Sequence, residues 1–200
     1  MKRIHSNTES HNNRRGIAVL WLVIWGSLFL TFFCVVLDIS NLWQAQVELN
    51  KALDAAALAA VKEWGASGST LTETPRNSGV TYAAANTVLG DPVVLDPNYD
   101  PVIVSSPNLN PNQNASCDGN LVFGRIEIPT VMVAPPFTFE AGLSTNVIPA
   151  VRAQATVEVQ GFCSALFGFS LLKVSASSTA YYDPLTGEVA LVTIETYNCP

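Results

Sequence analysis

The chain has 200 residues, 48% of them hydrophobic, with 12 Pro and 12 Gly. That length suits one folded domain plus an anchor, and such ordinary Pro and Gly usage excludes a fibrous or wholly disordered chain. The formal net charge of −6 is unevenly spread: the first fifteen residues hold Lys2, Arg3, Arg14 and Arg15 against Glu9, a balance of +3, while the rest holds six basic and fifteen acidic residues, a balance of −9. So acidic a body excludes a nucleic-acid partner, which needs a basic footprint.

Residues 1–15, MKRIHSNTESHNNRR, form a polar leader too short to fold. From Gly16 to Leu37 no residue is charged. At about 1.5 Å per residue this run is long enough to cross a hydrocarbon core of ~30 Å. It exceeds the usual signal-peptide core, and Leu37-Asp38-Ile39-Ser40 lacks a small-x-small cleavage pattern, so a retained anchor is expected. Arg14 and Arg15 before the span and Asp38 after it set its orientation: the basic leader stays in the cytoplasm and the acidic part is exported. Trp21, Trp25 and Phe29 share one face at four-residue spacing, open to lipid or to another helix.

Residues 38–64 continue the helix but become amphipathic. Leu42, Leu49, Leu53, Ala56 and Ala60 follow a seven-residue beat interrupted by Gln46, a stripe fit for a coiled-coil seam or for docking on the chain's own domain. The Ala-rich end, Asp54-Ala55-Ala56-Ala57-Leu58-Ala59-Ala60, predicts close approach by a sheet or a second helix. Gly65 and Gly68 mark the stop.

Residues 65–200 read as an α+β domain. A second helix is predicted from Ser78 to Leu89, capped by Asn77 or Ser78 and closed by Gly90. Beyond Asp91, runs rich in Val, Ile, Thr and aromatics alternate with turn residues, predicting strands at Val93–Leu95, Val102–Ser105, Leu121–Ile128, Ile148–Gln160, Leu171–Tyr182 and Glu188–Thr196. Val151, Ala153, Ala155, Val157 and Val159 alternate with Arg152, Gln154, Thr156, Glu158 and Gln160, one face inward and one outward. Asp183-Pro184-Leu185-Thr186-Gly187 predicts a hairpin loop, and residues 107–119 predict a longer one.

Chemistry is scarce. Both histidines, His5 and His11, lie in the leader, so the exported part lacks Ser-His-Asp, Cys-His and His-metal arrangements. No phosphate-binding glycine motif occurs. Ser170-Leu171-Leu172-Lys173 matches S-x-x-K without its partner motifs and reads as the start of a strand. Asp96 with Asp100, and Asp183 with Glu188, read as turn formers rather than as calcium ligands. Asp38-Ile39-Ser40 begins a D-x-S-x-S metal motif, but Leu42 breaks it. Asn114-Ala115-Ser116 fits a glycosylation sequon, relevant only in a cell with the transferase. No catalytic, cofactor-binding or metal-ligating residue is expected. Of the four cysteines, Cys34 reads as a space-filling residue in the span. Cys117, Cys163 and Cys199 are candidates for a disulfide, with three pairings open.

Arg14-Arg15-Gly16, the apolar span, Leu37-Asp38-Ile39-Ser40-Asn41-Leu42, Gln46-Val47-Glu48-Leu49-Asn50 and Asp54-Ala55-Ala56-Ala57-Leu58-Ala59 together resemble the N-terminus of TadE/TadG-like proteins of the tight-adherence (Flp) pilus assembly machinery. Asn77–Gly90 is similar to the family's second Ala-rich helix. Ala150–Val157 is similar to its arginine-bearing strand, and Phe167-Gly168 with Val174–Ala180 to its closing segment. The resemblance implies a pseudopilin-like, non-enzymatic component of pilus assembly or a related secretion apparatus. It would span the bacterial inner membrane once, with its N-terminus cytoplasmic and its bulk periplasmic. Its partners would be the membrane and other pilus or secretion proteins; no cofactor, nucleic acid or small-molecule substrate is implied. Type IV-type prepilins carry Glu five residues after the cleaved Gly; Trp21 stands there, pointing to a permanent tether. The implied architecture is a long helix, half of it transmembrane, with a second helix packed on an antiparallel, pilin-like sheet. The alternative is a membrane-tethered periplasmic module binding a saccharide, a peptide or calcium.

Overall fold

The computed structural model describes residues 12–68, 71–99, 116–127, 137–142, 148–161, 163, 168 and 171–199. The chain divides into two units, Met1–Asn41 with Gln160–Leu172, and Leu42–Val159 with Lys173–Pro200. Helix α1, Asn12–Ser67, contributes its first part to one and its second part to the other.

In the first unit, α1 is exposed at every residue from 16 to 33, including Leu22 and Phe29 at 74% each. Its polar side chains turn inward on their own helix: Ser27 Oγ donates to the Ile24 carbonyl, and Thr31 Oγ1 to that of Ser27, both at 2.9 Å. Each hydroxyl is thus satisfied within its own helix.

In the second unit α1 changes character. Ala45, Leu49, Ala52, Leu53, Ala56, Ala57, Ala60, Val61 and Trp64 are buried, while Lys51, Lys62 and Glu63 remain exposed. The helix runs to Ser67, and Gly68 follows at φ +58°, the left-handed end that glycine permits. The Ala-rich turns meet helix α2, Glu73–Ala84. At Gly79 an added Cβ would lie 3.1 Å from the Ala56 carbonyl and 3.2 Å from the Ala60 Cβ, so the two helices cross where neither carries bulk.

The second helix starts earlier than expected. Pro75 falls in its first turn, where a missing N–H costs nothing. Residues 87–92 are not helical: β1, Thr87–Val88, and β2, Asp91–Pro92, form a small hairpin through Leu89 (φ 51°) and Gly90 (φ 97°). Two successive positive φ angles are the signature of a type I′ turn. Val93–Leu95 is buried at both ends but pairs with no strand among the described residues.

A six-stranded sheet follows: β3 (Leu121–Glu127), β4 (Phe137–Ala141), β5 (Ile148–Val159), β6 (Leu172–Tyr182), β7 (Val189–Val192) and β8 (Ile194–Asn198), in the order β7-β6-β5-β3-β4-β8. The β3–β5, β3–β4 and β6–β7 pairs are antiparallel. The expectation of a wholly antiparallel sheet needs one amendment: β8 runs parallel to β4, with a register shift between Phe137 and Thr138. The strand expected at Glu188–Thr196 is two strands broken at Thr193, and β4 was not expected at all. The strand expected at Val102–Ser105 lies outside the described residues. Since β7 and β8 occupy opposite edges with only Thr193 between them, and successive Cα atoms are about 3.8 Å apart, the two edges must meet and the sheet curls almost closed.

This curl makes two cores. The outer one joins the second part of α1 to Leu121, Phe123, Val151, Ala153, Val159, Val174 and Ala180. The inner one gathers Val122, Ile126, Phe139 and Ala150, with Tyr181, Val192, Ile194 and Tyr197 against them. The alternation along β5 therefore separates inside from outside only towards its end. Thr156 and Glu158 are exposed, whereas Ala150 is fully buried and Arg152 half-buried in the curl. The architecture is α+β: one long helix, a short one and a mixed sheet.

Candidate functional site

Two features stand out, one in each unit. The first is where the uncharged run of α1 ends. Cys34 is bonded to Cys163, with Cα atoms 5.4 Å apart. The reading of Cys34 as mere filler is thereby corrected; the half-buried Cys34 faces a partner 129 residues away in sequence, which spacing alone could not reveal. Asp38, one turn on, is 9% exposed and accepts the Cys163 N–H at 3.1 and 3.3 Å through its two carboxylate oxygens. Asp38 thus holds a backbone donor of the segment tied to Cys34. The side chains of Arg14 and Arg15 lie outside the described part, although their backbone is helical. Trp21 and Trp25 stack with centroids 6.4 Å apart on the exposed face that also carries Phe29.

The second feature lies on the curled sheet. Its cover is the turn Ser116–Asn120, held from several sides. Cys117 is bonded to Cys199, with Cα atoms 6.1 Å apart. The Cys117 carbonyl accepts from the Tyr197 hydroxyl and from Gln154 Nε2, both at 2.8 Å. Asn120 pairs with β5 as a continuation of β3, receiving the Gln154 N–H at 2.8 Å and donating Nδ2 to the Gln154 carbonyl at 2.8 Å. Beneath this cover Arg152 lies 4.8 Å from the centroid of the Tyr197 ring and donates to Gln154 Oε1 (3.1 Å) and Ser177 Oγ (2.9 Å). Burial lowers the Arg152 pKa, against which the Tyr197 phenol acts; burial also raises the pKa of Tyr197 itself. Two grooves share Arg152 and Ser177. One of about 790 Å³ runs along Gln46, Asn50, Asn120, Gln154 and Thr156; one of about 390 Å³ runs along Asp54, Thr179 and Thr193.

A further arginine site went unread in the sequence, where residue 76 lay just before the helix expected from Ser78. Arg76 is fully buried, donating to Thr72 Oγ1 (2.8 Å) and to the Pro97 and Leu121 carbonyls (3.0 and 2.8 Å), with its guanidinium 4.4 Å from the Phe123 centroid. Burial pushes its pKa down to about 10, so the charge is kept at neutral pH.

The remaining sequence candidates fall into ordinary roles. Asp96 Oδ1 accepts the Asn98 N–H (2.8 Å), and Asp183 Oδ1 accepts that of Leu185 (2.8 Å) in the expected hairpin loop, both as Asx-type turns. Lys173 sits on β6 within 3.5 Å of Glu158, while Ser170, Asp100, Asn114 and Ala115 lie outside the described residues. Among the described residues no three His, Cys, Asp or Glu side chains gather as a metal site.

Comparison with known proteins gives two family matches. The profile of the TadE/G-like Flp pilus-assembly family matches residues 16–65, and that of the Tad-like Flp pilus-assembly family matches residues 44–180. No curated protein and no solved structure matches. The first match covers the uncharged run and the Ala-rich turns of α1; the second takes in the rest of α1, α2 and the sheet through most of β6. The chain belongs to the Tad-like family of Flp pilus assembly.

Proposed function

We propose that this protein is a pseudopilin-like structural component of Flp pilus assembly, anchored in the bacterial inner membrane by residues 16–37. In this reading residues 1–15 stay in the cytoplasm, residues 38–64 continue the anchor helix, and residues 65–200 form the periplasmic domain. It works by holding and presenting surfaces rather than by catalysis. The observation that carries the reading is α1 itself: one unbroken helix in which large apolar side chains are exposed on every side up to residue 33, and small ones beyond residue 44 form a core. Such exposure in water is unfavourable by roughly 25 cal/mol per Å² of apolar surface, a cost a bilayer removes. The acidic body after a basic leader supports export of the C-terminal part. So do two disulfides, which persist in oxidising compartments.

The test has two arms. Alkaline phosphatase fused after Pro200 should be active in cells, and a green fluorescent protein fused there should stay dark; the reverse pattern overturns the orientation. Deleting the gene in a piliated host should abolish Flp pili, and the wild-type chain should restore them where a chain lacking residues 16–37 does not. Normal piliation after deletion sinks the functional reading.

A further inference from the structure

Outside the leader the chain has three arginines, and their solutions differ. Arg76 is enclosed by carbonyls and an aromatic ring. Arg125 on β3 is ion-paired with Glu140 on β4, directly opposite in register. Arg152 has an aromatic ring beside it, as Arg76 does, but among the described residues neither a backbone carbonyl acceptor nor an ion pair. Its hydrogen bonds go to a neutral amide and a neutral hydroxyl, and among the described residues no carboxylate lies within ion-pairing distance. A half-buried guanidinium without a counter-charge is unfavourable unless something else supplies one. The Tyr197 ring, fixed by its hydroxyl to the disulfide-bonded Cys117, backs the guanidinium and holds it towards the grooves.

Three further observations describe what would approach it. Thr179, 3% exposed, lines the smaller groove, and its Oγ1 has no hydrogen-bond partner among the described residues. The walls of the larger groove are mostly amides and hydroxyls, among them Gln46, Asn50, Asn120, Gln154, Thr156 and Ser175, with one carboxylate, Asp118. Beside that groove β5 loses its neighbour among the described residues. Its pairing with β3 ends at Ala153 opposite Leu121, followed by the Gln154–Asn120 bond, whereas β5 itself continues to Val159. On this side Thr156 and Glu158 present a strand edge of the kind that accepts an added strand.

We propose that Arg152 is the receptor for a single carboxylate carried by an extended segment of a partner protein, which lies along the open edge of β5. The guanidinium takes the carboxylate through a charge-assisted hydrogen bond. The amide and hydroxyl walls, with the edge of β5, take the peptide backbone. Asp54 and Asp118, one in each groove wall, disfavour a polyanion and restrict the ligand to an isolated acidic residue. The site requires neither the membrane topology nor the pilus role proposed above, so its failure would leave both standing.

The experiment uses the full chain in detergent micelles, with arginine side chains labelled with nitrogen-15. The probes are the peptide acetyl-Val-Thr-Glu-Val-Thr-amide, its counterpart with Gln in place of Glu, and sodium acetate. The Nε–Hε signal of Arg152, identified by its loss in Arg152→Gln, should shift saturably with the Glu peptide, while those of Arg76 and Arg125 stay in place. The Gln peptide should bind at least about tenfold more weakly, as loss of a charge-assisted contact implies. Arg152→Gln should abolish binding of the Glu peptide while keeping the Arg76 signal, which reports an intact core. Arg152→Lys should retain part of it, as a point charge without the planar fork. Equal binding of both peptides, or unchanged binding to Arg152→Gln, overturns the carboxylate assignment. Acetate matching the peptide in affinity overturns the extended-segment assignment.

Discussion

The two parts of α1 are both rich in apolar residues and solve opposite problems. Up to residue 33 the helix carries Leu, Ile, Phe and Trp on all sides and buries none of them. Beyond residue 44 it buries a stripe of mostly small side chains against α2 and the sheet. The difference is one of surroundings rather than hydrophobicity: bulk suits a helix whose neighbour is fluid, and smallness suits one whose neighbour is another backbone. Gly65, pressed against the Tyr182 ring, and Ala56 and Ala60, with Gly79 opposite, are places where smallness matters.

The same substitution in both parts should separate them most sharply. Leu53→Ala opens a cavity in a fully buried site and should lower the unfolding free energy of the domain by about 3 kcal/mol, measured by denaturant unfolding in detergent. A loss below ~1 kcal/mol would mean the helix is not part of the core. Enlarging rather than shrinking comes next: Ala60→Leu should cost about 2 kcal/mol by overpacking against Gly79. Leu28→Ala, in the exposed part, should change domain unfolding by less than ~0.5 kcal/mol. A larger effect would mean this stretch packs on the domain after all. The smallest expected effect concerns the polar rim of the buried part. Glu48 Oε1 accepts from Gln44 Nε2 (2.8 Å) and its Oε2 accepts the Leu89 N–H (2.6 Å), so first the side-chain bond and then the backbone bond hold its pKa below the ordinary 4.5. A carboxyl depressed in the folded state contributes stability above its unfolded pKa and loses it as pH falls through the folded value. The titration of Glu48 followed by NMR should therefore fall below 4.5, and Gln44→Ala should move it upward.

Much of this was legible in the chain. The length, polarity and end of α1 follow from the absence of charge, the Ala-rich turns and the paired glycines near residue 65. The 183–187 loop follows from its Asp, Pro and Gly. What stayed hidden depended on distant partners. Arg76 drew no reading because two of its acceptors are carbonyls 21 and 45 positions away. Leu89 looked helical because nothing in a leucine announces a left-handed turn; the Gly90 beside it was the available clue. Arg152 looked outward-facing because alternation along β5 cannot report that β8 and the 116–120 turn come back over that face. Likewise the Cys34–Cys163 and Cys117–Cys199 pairings, spanning 129 and 82 positions, are invisible to spacing.

The single-residue link at Thr193 has a kinetic consequence. The segment through it closes the sheet at both edges, pairing β7 with β6 and β8 with β4, while Cys199 reaches back to Cys117. The β8–β4 pairing and the Cys117–Cys199 bond are long-range in sequence, unlike the β6–β7 hairpin, and contact order of this kind slows folding. Helix α1 can form locally as soon as it is made, but the barrel-like sheet must wait for its last strand. A chain stalled before residue 189 would present the edges of β4 and β6 uncovered, the state most exposed to wrong pairing.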